Sequence, residues 1–301
     1  MTGRLFTCLE QGGKIRFAII GVINIINIQR AVRFVKENGT GFHQSSLRFK
    51  AGAAGAPCVL ENLSACHNRD GGWIGVDADY TGDISSITCT ITGLRILDRL
   101  KIGSCPMLDA TIQFLKRNQK AGGYWDEPVG ILEFDIPNWY IPKYKLNQIW
   151  LTSGVLRYLT TLAGTETEMI AKAKNYLRSQ WDGERFPGYA HNSWMGMVSF
   201  YKSADGSGRE IWDNCLQNVT REITAYDIAD VVWALESCLA IGLGREHRAV
   251  AAGLGVLLSV QDDDGGFITS YGASHRADVT VEILDILHQY GYMDLKTIPM
   301  G

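Results

Sequence analysis

Apolar residues recur at intervals of three and four along most of the chain, which is the spacing of one face of an α-helix. Stretches with this spacing lie at residues 30–38, 84–100, 147–162, 192–201, 224–242, 247–260 and 278–291. Further helices are predicted before each of the turns described next, giving about a dozen in all. No strand meander is visible between them, so the sequence predicts an all-α protein.

Four copies of one short motif separate these helices, and each contains a Gln-like residue, a short turn and an aromatic residue. The copies are LSACHNRDGGW (63–73), FLKRNQKAGGYW (114–125), YLRSQWDGERF (176–186) and LLSVQDDDGGF (257–267). The aromatic residue follows the Gln-like residue by six positions in every copy: His67 to Trp73, Gln119 to Trp125, Gln180 to Phe186 and Gln261 to Phe267. A spacing repeated within one chain indicates a repeat architecture.

Each part of the motif has a physical role in a helix-to-helix turn. Paired glycines at 71–72, 122–123 and 265–266 can adopt the left-handed backbone that ends a helix. The Gln side chain can bond backbone groups left unpaired at that helix end or at the next helix start, and the aromatic ring seals the joint. Helix pairs of this kind bury their apolar faces by stacking, so we expect about six helical hairpins in a closed ring, an α/α toroid.

The predicted domain organisation is one toroid over residues 29–301, preceded by an appendage at 1–28 that is unrelated to the repeats. The appendage contains the apolar run from Phe17 to Ile28, for which we expect a helix outside the repeats. At twelve residues, with Asn24 and Asn27 inside it, this run is too short and too polar to span a bilayer. No cleavage-site pattern follows, which argues against a secretory signal peptide.

Composition narrows the function classes. The formal net charge is −3 and no block of Lys and Arg stands out, which argues against nucleic acid and anionic membranes as partners. Seven cysteines are scattered and never form a C-x-x-C pair. This pattern is typical of reduced thiols in a cytoplasmic protein and not of a zinc knuckle. We therefore expect no metal and no cofactor.

The Gln-to-aromatic turns resemble the QW repeats of squalene and oxidosqualene cyclases and the matching repeats of protein prenyltransferase β subunits. The segments PNWYIP (137–142) and PGYAHNSW (187–194) are similar to those of a bacterial prenyltransferase and squalene oxidase repeat group of small stand-alone toroids. The resemblance implies a terpenoid-cyclase-like toroid whose central cavity binds an isoprenoid or similar apolar molecule. It does not fix the reaction, because one fold supports many chemistries.

Acid-initiated terpene cyclases carry an Asp-x-Asp-Asp run ahead of a helix similar to that in AYDIADVVWAL (225–235). Anchoring on Trp233 places Asp227 at the last Asp of the run and Tyr226 at the usual proton donor. Asp227 and Asp230 lie one helical turn apart, so their carboxylates share a face. In an apolar cavity one of them would stay protonated and could protonate an alkene or epoxide. The alternative is that Asp227 caps the helix.

Protein prenyltransferases instead hold zinc with an Asp-x-Cys ahead of the same helix and a distant His. The same anchoring places Ala229 at the Cys and Val279 at the His. The resemblance therefore argues against a zinc-dependent protein prenyltransferase.

Aromatic faces that stabilise carbocations are the predicted substrate-binding surface. The residues proposed for it are Trp139, Tyr140, Trp150, Tyr189, His191 and Trp194. The leading hypothesis is cyclisation or isomerisation of an isoprenoid, started by an Asp acid. One alternative is a non-catalytic toroid that binds a lipid or a protein, with a partner chain completing a site. Another is an α/α-barrel glycan-active enzyme using carboxylates among Glu127, Glu133 and Asp135.

Overall fold

The computed structural model describes residues 26–163, 167–203 and 205–298, together with the backbone of two short segments before them. Twelve α-helices occur in the described part of the chain. They are α1 (Ile28–Asn38), α2 (Gly41–Lys50), α3 (Ala56–Ser64), α4 (Ile87–Arg99), α5 (Pro106–Asn118), α6 (Lys145–Leu162), α7 (Glu168–Gln180), α8 (His191–Ser199), α9 (Gly206–Glu222), α10 (Ile228–Ala240), α11 (Arg248–Leu257) and α12 (Arg276–Gln289). None of these helices is long and apolar enough to cross a membrane.

The described backbone of the N-terminal appendage is a small antiparallel hairpin. Its strands are β1 (Leu9–Gln11) and β2 (Lys14–Arg16), with Glu10 paired to Ile15. The apolar run predicted as a helix, from Phe17 to Ile28, lies outside the described residues as far as residue 25. Its end forms the start of α1, where the Asn27 side chain accepts the Arg30 N–H at 3.0 Å and caps the helix.

Six inner and six outer helices alternate around the molecule. The even-numbered helices form the inner ring, in which α4, α6, α8, α10, α12 and α2 pack in that order. The circle is completed where Lys50 on α2 donates to the Arg99 carbonyl at the end of α4. Each odd-numbered helix covers the outside, and α1 packs against α12. The prediction of an α/α toroid with about six hairpins in a closed ring is confirmed.

Three of the four repeat turns share one hydrogen-bonding pattern. In the first, the Asn68 N–H donates to the Gly72 carbonyl at 2.8 Å and the Gly71 N–H donates to the Asn68 carbonyl at 2.9 Å. The same pairs recur at Lys120, Tyr124 and Gly123, and at Asp262, Gly266 and Gly265. Gly71, Gly123 and Gly265 have φ values of 88°, 87° and 95°. These glycines therefore occupy the left-handed region, as the sequence predicted.

The third turn differs although its sequence spacing is the same. Gln180 is still the last residue of α7, and the backbone bond runs from the Asp182 N–H to the Arg185 carbonyl at 3.3 Å. Gly183 takes the positive φ here, one position earlier than in the other copies. The turn is tighter because this copy has a single glycine and places Trp181 against Phe186, with ring centroids 4.8 Å apart.

In the first, second and fourth turns the left-handed glycine also lets the turn touch the backbone of an outer helix. A Cβ on Gly71 would lie 2.3 Å from the Ala110 carbonyl oxygen of α5, and one on Gly265 would lie 2.5 Å from that of Arg30 on α1. Any larger residue would push the turn away from its neighbour. The last turn thus docks on the first outer helix.

The Gln side chains reinforce this docking. Gln119 donates to the Met169 carbonyl at 2.9 Å, at the start of α7. Gln261 accepts the Asn27 N–H at 2.7 Å and donates to the Asn27 carbonyl at 3.1 Å, at the start of α1. The predicted bonding of Gln to the next helix start is confirmed in these two copies, and the second of them closes the ring.

The four turn aromatics lie inside the joints between helices. Trp73, Trp125 and Phe267 are fully buried, and Phe186 exposes only 4% of its surface. Trp73 packs so closely on α4 that a Cβ on Gly93 would lie 2.3 Å from its ring. The predicted sealing role of these residues is confirmed.

Candidate active site

A cavity of about 320 Å³ opens at the end of the ring where the inner helices begin. Its walls come from the whole length of α4, from the first two turns of α6, α8, α10 and α12, and from the loop at residues 76–79. Seven aromatic or imidazole rings line it: Trp139, Trp150, Tyr189, His191, Trp233, Tyr271 and His275. Five carboxyl groups also line it: Asp77, Asp79, Asp230, Asp278 and Glu282. The volume falls within the range of small-molecule sites.

Four of the six residues predicted to bind substrate do line this cavity: Trp139, Trp150, Tyr189 and His191. Tyr140 and Trp194 do not, and both are fully buried. Tyr140 stacks on Tyr80 with ring centroids 5.5 Å apart, and Trp194 packs 4.8 Å from the His191 ring. The prediction is therefore corrected for these two residues, which support the cavity wall from behind.

Trp233 on α10 was not among the residues predicted to bind substrate, yet it forms part of the cavity wall. Its indole N–H donates to the Tyr158 hydroxyl at 2.7 Å, and the Arg95 guanidinium lies 4.7 Å from its ring centroid. Held on both sides, the ring presents a fixed face to any bound molecule.

Asp227, one of the two predicted catalytic acids, caps α10 and does not line the cavity. One carboxylate oxygen accepts the Ala229 N–H at 2.9 Å and the Thr269 hydroxyl at 2.6 Å, while the other accepts the Ser270 N–H at 2.7 Å. Partial burial acts to raise the pKa of Asp227, but these hydrogen bonds outweigh it and hold the pKa below its usual value. A capped, readily ionised carboxylate is poorly suited to donate a proton, so the structure argues against Asp227 in that role.

Asp230, the other predicted acid, does face the cavity. One of its oxygens lies 3.1 Å from His191 Nε2, and the Tyr271 hydroxyl donates to the carboxylate at 3.1 Å. Burial and the nearby Asp230 carboxylate raise the pKa of Tyr271, so its hydroxyl stays protonated as a donor. Asp230 is therefore a fixed partner of an imidazole on the cavity wall.

Asp77 is a candidate acid that the sequence analysis missed. It is partly exposed and lines the cavity. Burial raises its pKa, and the neighbouring Asp79 carboxylate raises it further. Three contacts oppose this rise in pKa only in part: the Asp79 N–H, which donates to Asp77 at 2.9 Å, the nearby His275 imidazole, and a hydrogen bond to Tyr140.

The protein behind Asp77 consists of weak acids that stay neutral. The Tyr140 hydroxyl lies 3.7 Å from the Cys89 sulfur, and burial raises the pKa of Cys89 to about 12. Tyr80 packs on the same side, and burial raises its pKa to about 12 as well. Burial among these neutral groups and the Asp79 carboxylate together outweigh the opposing effect of His275, so the protonated form of Asp77 is favoured more than in water.

A signal for Asp77 was present in the sequence. Asp77-Ala78-Asp79 is an Asp-x-Asp pair four residues after the turn aromatic Trp73 and shortly before α4. The spacing places two carboxyl groups in one loop, where like-charge repulsion favours protonation of one.

The inner end of the cavity is closed by ion pairs. Arg95 Nε lies 2.7 Å from Glu236 and its Nη2 lies 2.9 Å from Glu282, while Arg99 Nη1 lies 2.6 Å from Glu282. All four side chains are largely buried. The pairing leaves this floor polar but without net charge.

The carboxylates considered for a glycan-active site are not arranged across the cavity mouth. Glu127 is buried and accepts the N–H groups of Ile87 at 2.8 Å and Thr88 at 2.7 Å, capping α4. Burial raises its pKa although these bonds oppose the rise. Glu133 and Asp135 are exposed on a surface loop. This placement does not supply the facing pair that glycoside hydrolysis requires.

Ala229 and Val279 stand at the positions where protein prenyltransferases are expected to have their zinc Cys and His, and both line the cavity. Neither side chain can ligate a metal. Within the described ranges, no group of three or more His, Cys, Asp or Glu side chains is arranged to hold a metal ion.

Solved structures with a similar fold include the type II terpene cyclase MstE from Scytonema. Its apo form matches with a TM-score of 0.58 at 12% identity, covering 87% of this chain and 96% of that one. An Asp-to-Asn variant in complex with geranylgeranyl dihydroxybenzoate, its substrate, matches with a TM-score of 0.57 at 13% identity, covering 87% and 96%. An Asp-to-Ala variant in complex with the product merosterolic acid A matches with a TM-score of 0.56 at 12% identity, covering 86% and 94%.

The chain has a terpene-cyclase-like fold. At these identities the likeness concerns the arrangement of helices and not the chemistry. No model of a protein family matches the sequence, and no curated protein matches it. The QW-repeat and prenyltransferase resemblance remains a prediction from the motifs.

Proposed function

We propose that this protein is an acid-initiated isoprenoid cyclase or isomerase in which Asp77 supplies the proton. The observation that carries the proposal is a carboxyl group with a raised pKa that is exposed to an aromatic-lined cavity. A carboxylic acid that stays protonated near neutral pH can act as a general acid. The proton donor is still an Asp, as the sequence predicted, but we assign it to Asp77 in place of Asp227.

The first step forms a C–H bond between the Asp77 proton and one carbon of a substrate alkene. The alkene π electrons make that bond, leaving a tertiary carbocation on the substrate and a carboxylate on Asp77. The faces of Trp139, Trp150 and Trp233 line the cavity and stabilise a cation by cation–π attraction. A second substrate alkene then attacks the cation and closes a ring.

The last step removes a proton from the carbon beside the cation and leaves a new alkene. His191, held by Asp230 in the same cavity, is the base we assign to this step. One proton enters and one leaves, so the product is an isomer of the substrate. All of these groups lie on one chain, so the partner chain raised as an alternative is not part of the proposal.

The likeness to a type II terpene cyclase in complex with a geranylgeranyl-bearing substrate supports isoprenoids as the ligand class. The aromatic rings of the cavity wall support it independently, because their faces favour contact with apolar groups.

The test is conversion of geraniol, farnesol and geranylgeraniol by the purified protein in D₂O, followed by gas chromatography and mass spectrometry. Acid initiation predicts cyclic or rearranged isomers that carry one deuterium from solvent. Isomers without deuterium would contradict a proton donor in equilibrium with water. Saturable binding of these alcohols with no conversion would instead support the non-catalytic lipid-binding toroid.

A further inference from the structure

Three carboxylates at the cavity mouth each face a histidine. The Oδ1-to-Nε2 distances are 3.4 Å for Asp79 and His275, 3.1 Å for Asp230 and His191, and 2.7 Å for Asp278 and His43. With neutral histidines these pairs carry three negative charges, and with protonated histidines the charges cancel. As long as the three carboxylates are ionised, the pairs do not make the mouth positive.

The floor of the cavity does not supply free positive charge either. Among the described residues, the Lys or Arg side chains that line the cavity are those of Arg95 and Arg99. Two carboxylates, Glu236 and Glu282, bond their guanidinium groups at 2.6–2.9 Å. Two positive charges thus meet two negative ones, and the floor carries no net positive charge.

Helix starts often bind anions through unpaired N–H groups, but three of the helix starts at this cavity already have a carboxylate. Glu127 accepts two N–H groups at the start of α4, and Asp227 accepts the Ala229 N–H of α10. Asp278 lies in the first turn of α12. At these three helix starts the chain's own acids therefore occupy the position where an anionic ligand would be stabilised.

We infer that the cavity selects isoprenoids with a neutral or cationic head group and discriminates against diphosphate and carboxylate head groups. The inference rests on the proposed function and names the substrate class for the same site. One uncompensated like charge about 8 Å away weakens binding by about tenfold or more at an effective dielectric constant of about 20. An ammonium head group has the opposite sign and also gains from the aromatic wall.

The test compares farnesol, farnesylamine and farnesyl diphosphate, which share one hydrocarbon chain. Dissociation constants are measured at low salt from the quenching of tryptophan fluorescence, since Trp139, Trp150 and Trp233 line the cavity. We expect farnesol and farnesylamine to bind, and farnesyl diphosphate to bind at least about tenfold more weakly. Added salt should narrow this gap because it screens the mouth charges.

Charge-removing variants locate the effect. Asp278→Asn and Asp79→Asn each remove one mouth charge from a side chain that is 38% or 28% exposed, so both should fold. Each should improve binding of farnesyl diphosphate by about threefold or more while changing farnesol little. Asp109→Asn is the matched control, because Asp109 is exposed on the outer helix α5 and should leave all three affinities unchanged.

Binding of farnesyl diphosphate as tight as that of farnesol would overturn the inference, and so would a gap unchanged in both mouth variants. This test can be distinguished from the test of the proposed function, because it measures binding and does not require turnover. If the charge preference appears but no ligand is converted, the inference stands and the cyclase assignment falls. If the diphosphate is bound and converted best, the cyclase assignment stands and the inference falls. If none of the three binds, both are refuted.

Discussion

Replacing Asp77 with Asn separates proton donation from the structural contacts of this side chain. The Asn amide oxygen can still accept the Asp79 N–H, which lies 2.9 Å from the carboxylate in the wild type. The amide cannot deliver a proton to an alkene. Loss of a general acid typically lowers the rate by about 10²–10⁴-fold, or about 3–5 kcal/mol of transition-state stabilisation.

The same substitution should leave the fold as stable as before or more stable. Burial and Asp79 raise the folded-state pKa of Asp77 above its unfolded value. The stability that this carboxyl contributes is therefore fully present below about pH 4 and is lost as the pH rises through the folded pKa. Asn does not ionise and does not show this loss. We expect equal melting temperatures near pH 4 and a variant that melts at or above the wild-type temperature near pH 8.

The assay pairs product yield with thermal melting followed by circular dichroism at the two pH values. Asp109→Asn serves as control, since it makes the same chemical change on the outside of the ring. Activity within about threefold of the wild type would refute Asp77 as the acid. Loss of activity together with a melting temperature several degrees lower at both pH values would show that the carboxyl group is structural.

Three further outcomes follow from the contacts described above. Turnover should fall as pH rises through the raised pKa of Asp77, which faces Asp79, His275 and Tyr140, because only the protonated acid donates. A kcat/KM profile that rises instead would contradict the mechanism. Asp227→Asn should keep both fold and activity, whereas Asp227→Ala should lose about 1–2 kcal/mol of unfolding free energy near pH 7. The pKa of Asp227 is lowered in the folded state, so the stability gap between the wild type and Asp227→Ala should disappear as the pH falls through that pKa. Urea titrations at several pH values measure this gap. Gly265→Ala should cost about 2–4 kcal/mol, since φ is 95° and the new Cβ would lie 2.5 Å from the Arg30 carbonyl oxygen. Gly255→Ala, in open space on α11, should gain about 0.5–1 kcal/mol by the same measurement.

The ring could be predicted from the sequence because its joints use residues with few substitutes. A glycine at a left-handed position and a buried aromatic six residues after a Gln leave a visible trace in the sequence. Helices α2 and α9 leave less. GFHQSSLRFK has no clear apolar periodicity, and α9 begins with two glycines among polar residues. Such helices are stabilised by packing against neighbouring helices more than by local propensity. In α9 the Asp205 side chain also caps the helix start.

The candidate site was harder to predict because it depends on where each side chain points and on hydrogen-bond partners that are distant in the sequence. Trp139 and Tyr140 are neighbours in a loop without periodicity, yet only Trp139 faces the cavity. Asp227 and Asp77 are both loop carboxyl groups ahead of an inner helix. Hydrogen bonds from Thr269 and Ser270, more than forty residues away in the sequence, favour the ionised form of Asp227, and the linear pattern does not show them.

The junction between Gln261 and Asn27 joins residues that are 234 positions apart in the sequence. An open array of helical repeats has two ends, and its end units fray first because each lacks one neighbour. A ring has no such unit. Gly266 and Arg276 of the last repeat cover Phe34 of the first helix, so a chain without them would leave that ring facing water. Fraying therefore has no natural starting point here, and losing one junction exposes buried surface at both ends of the chain at once.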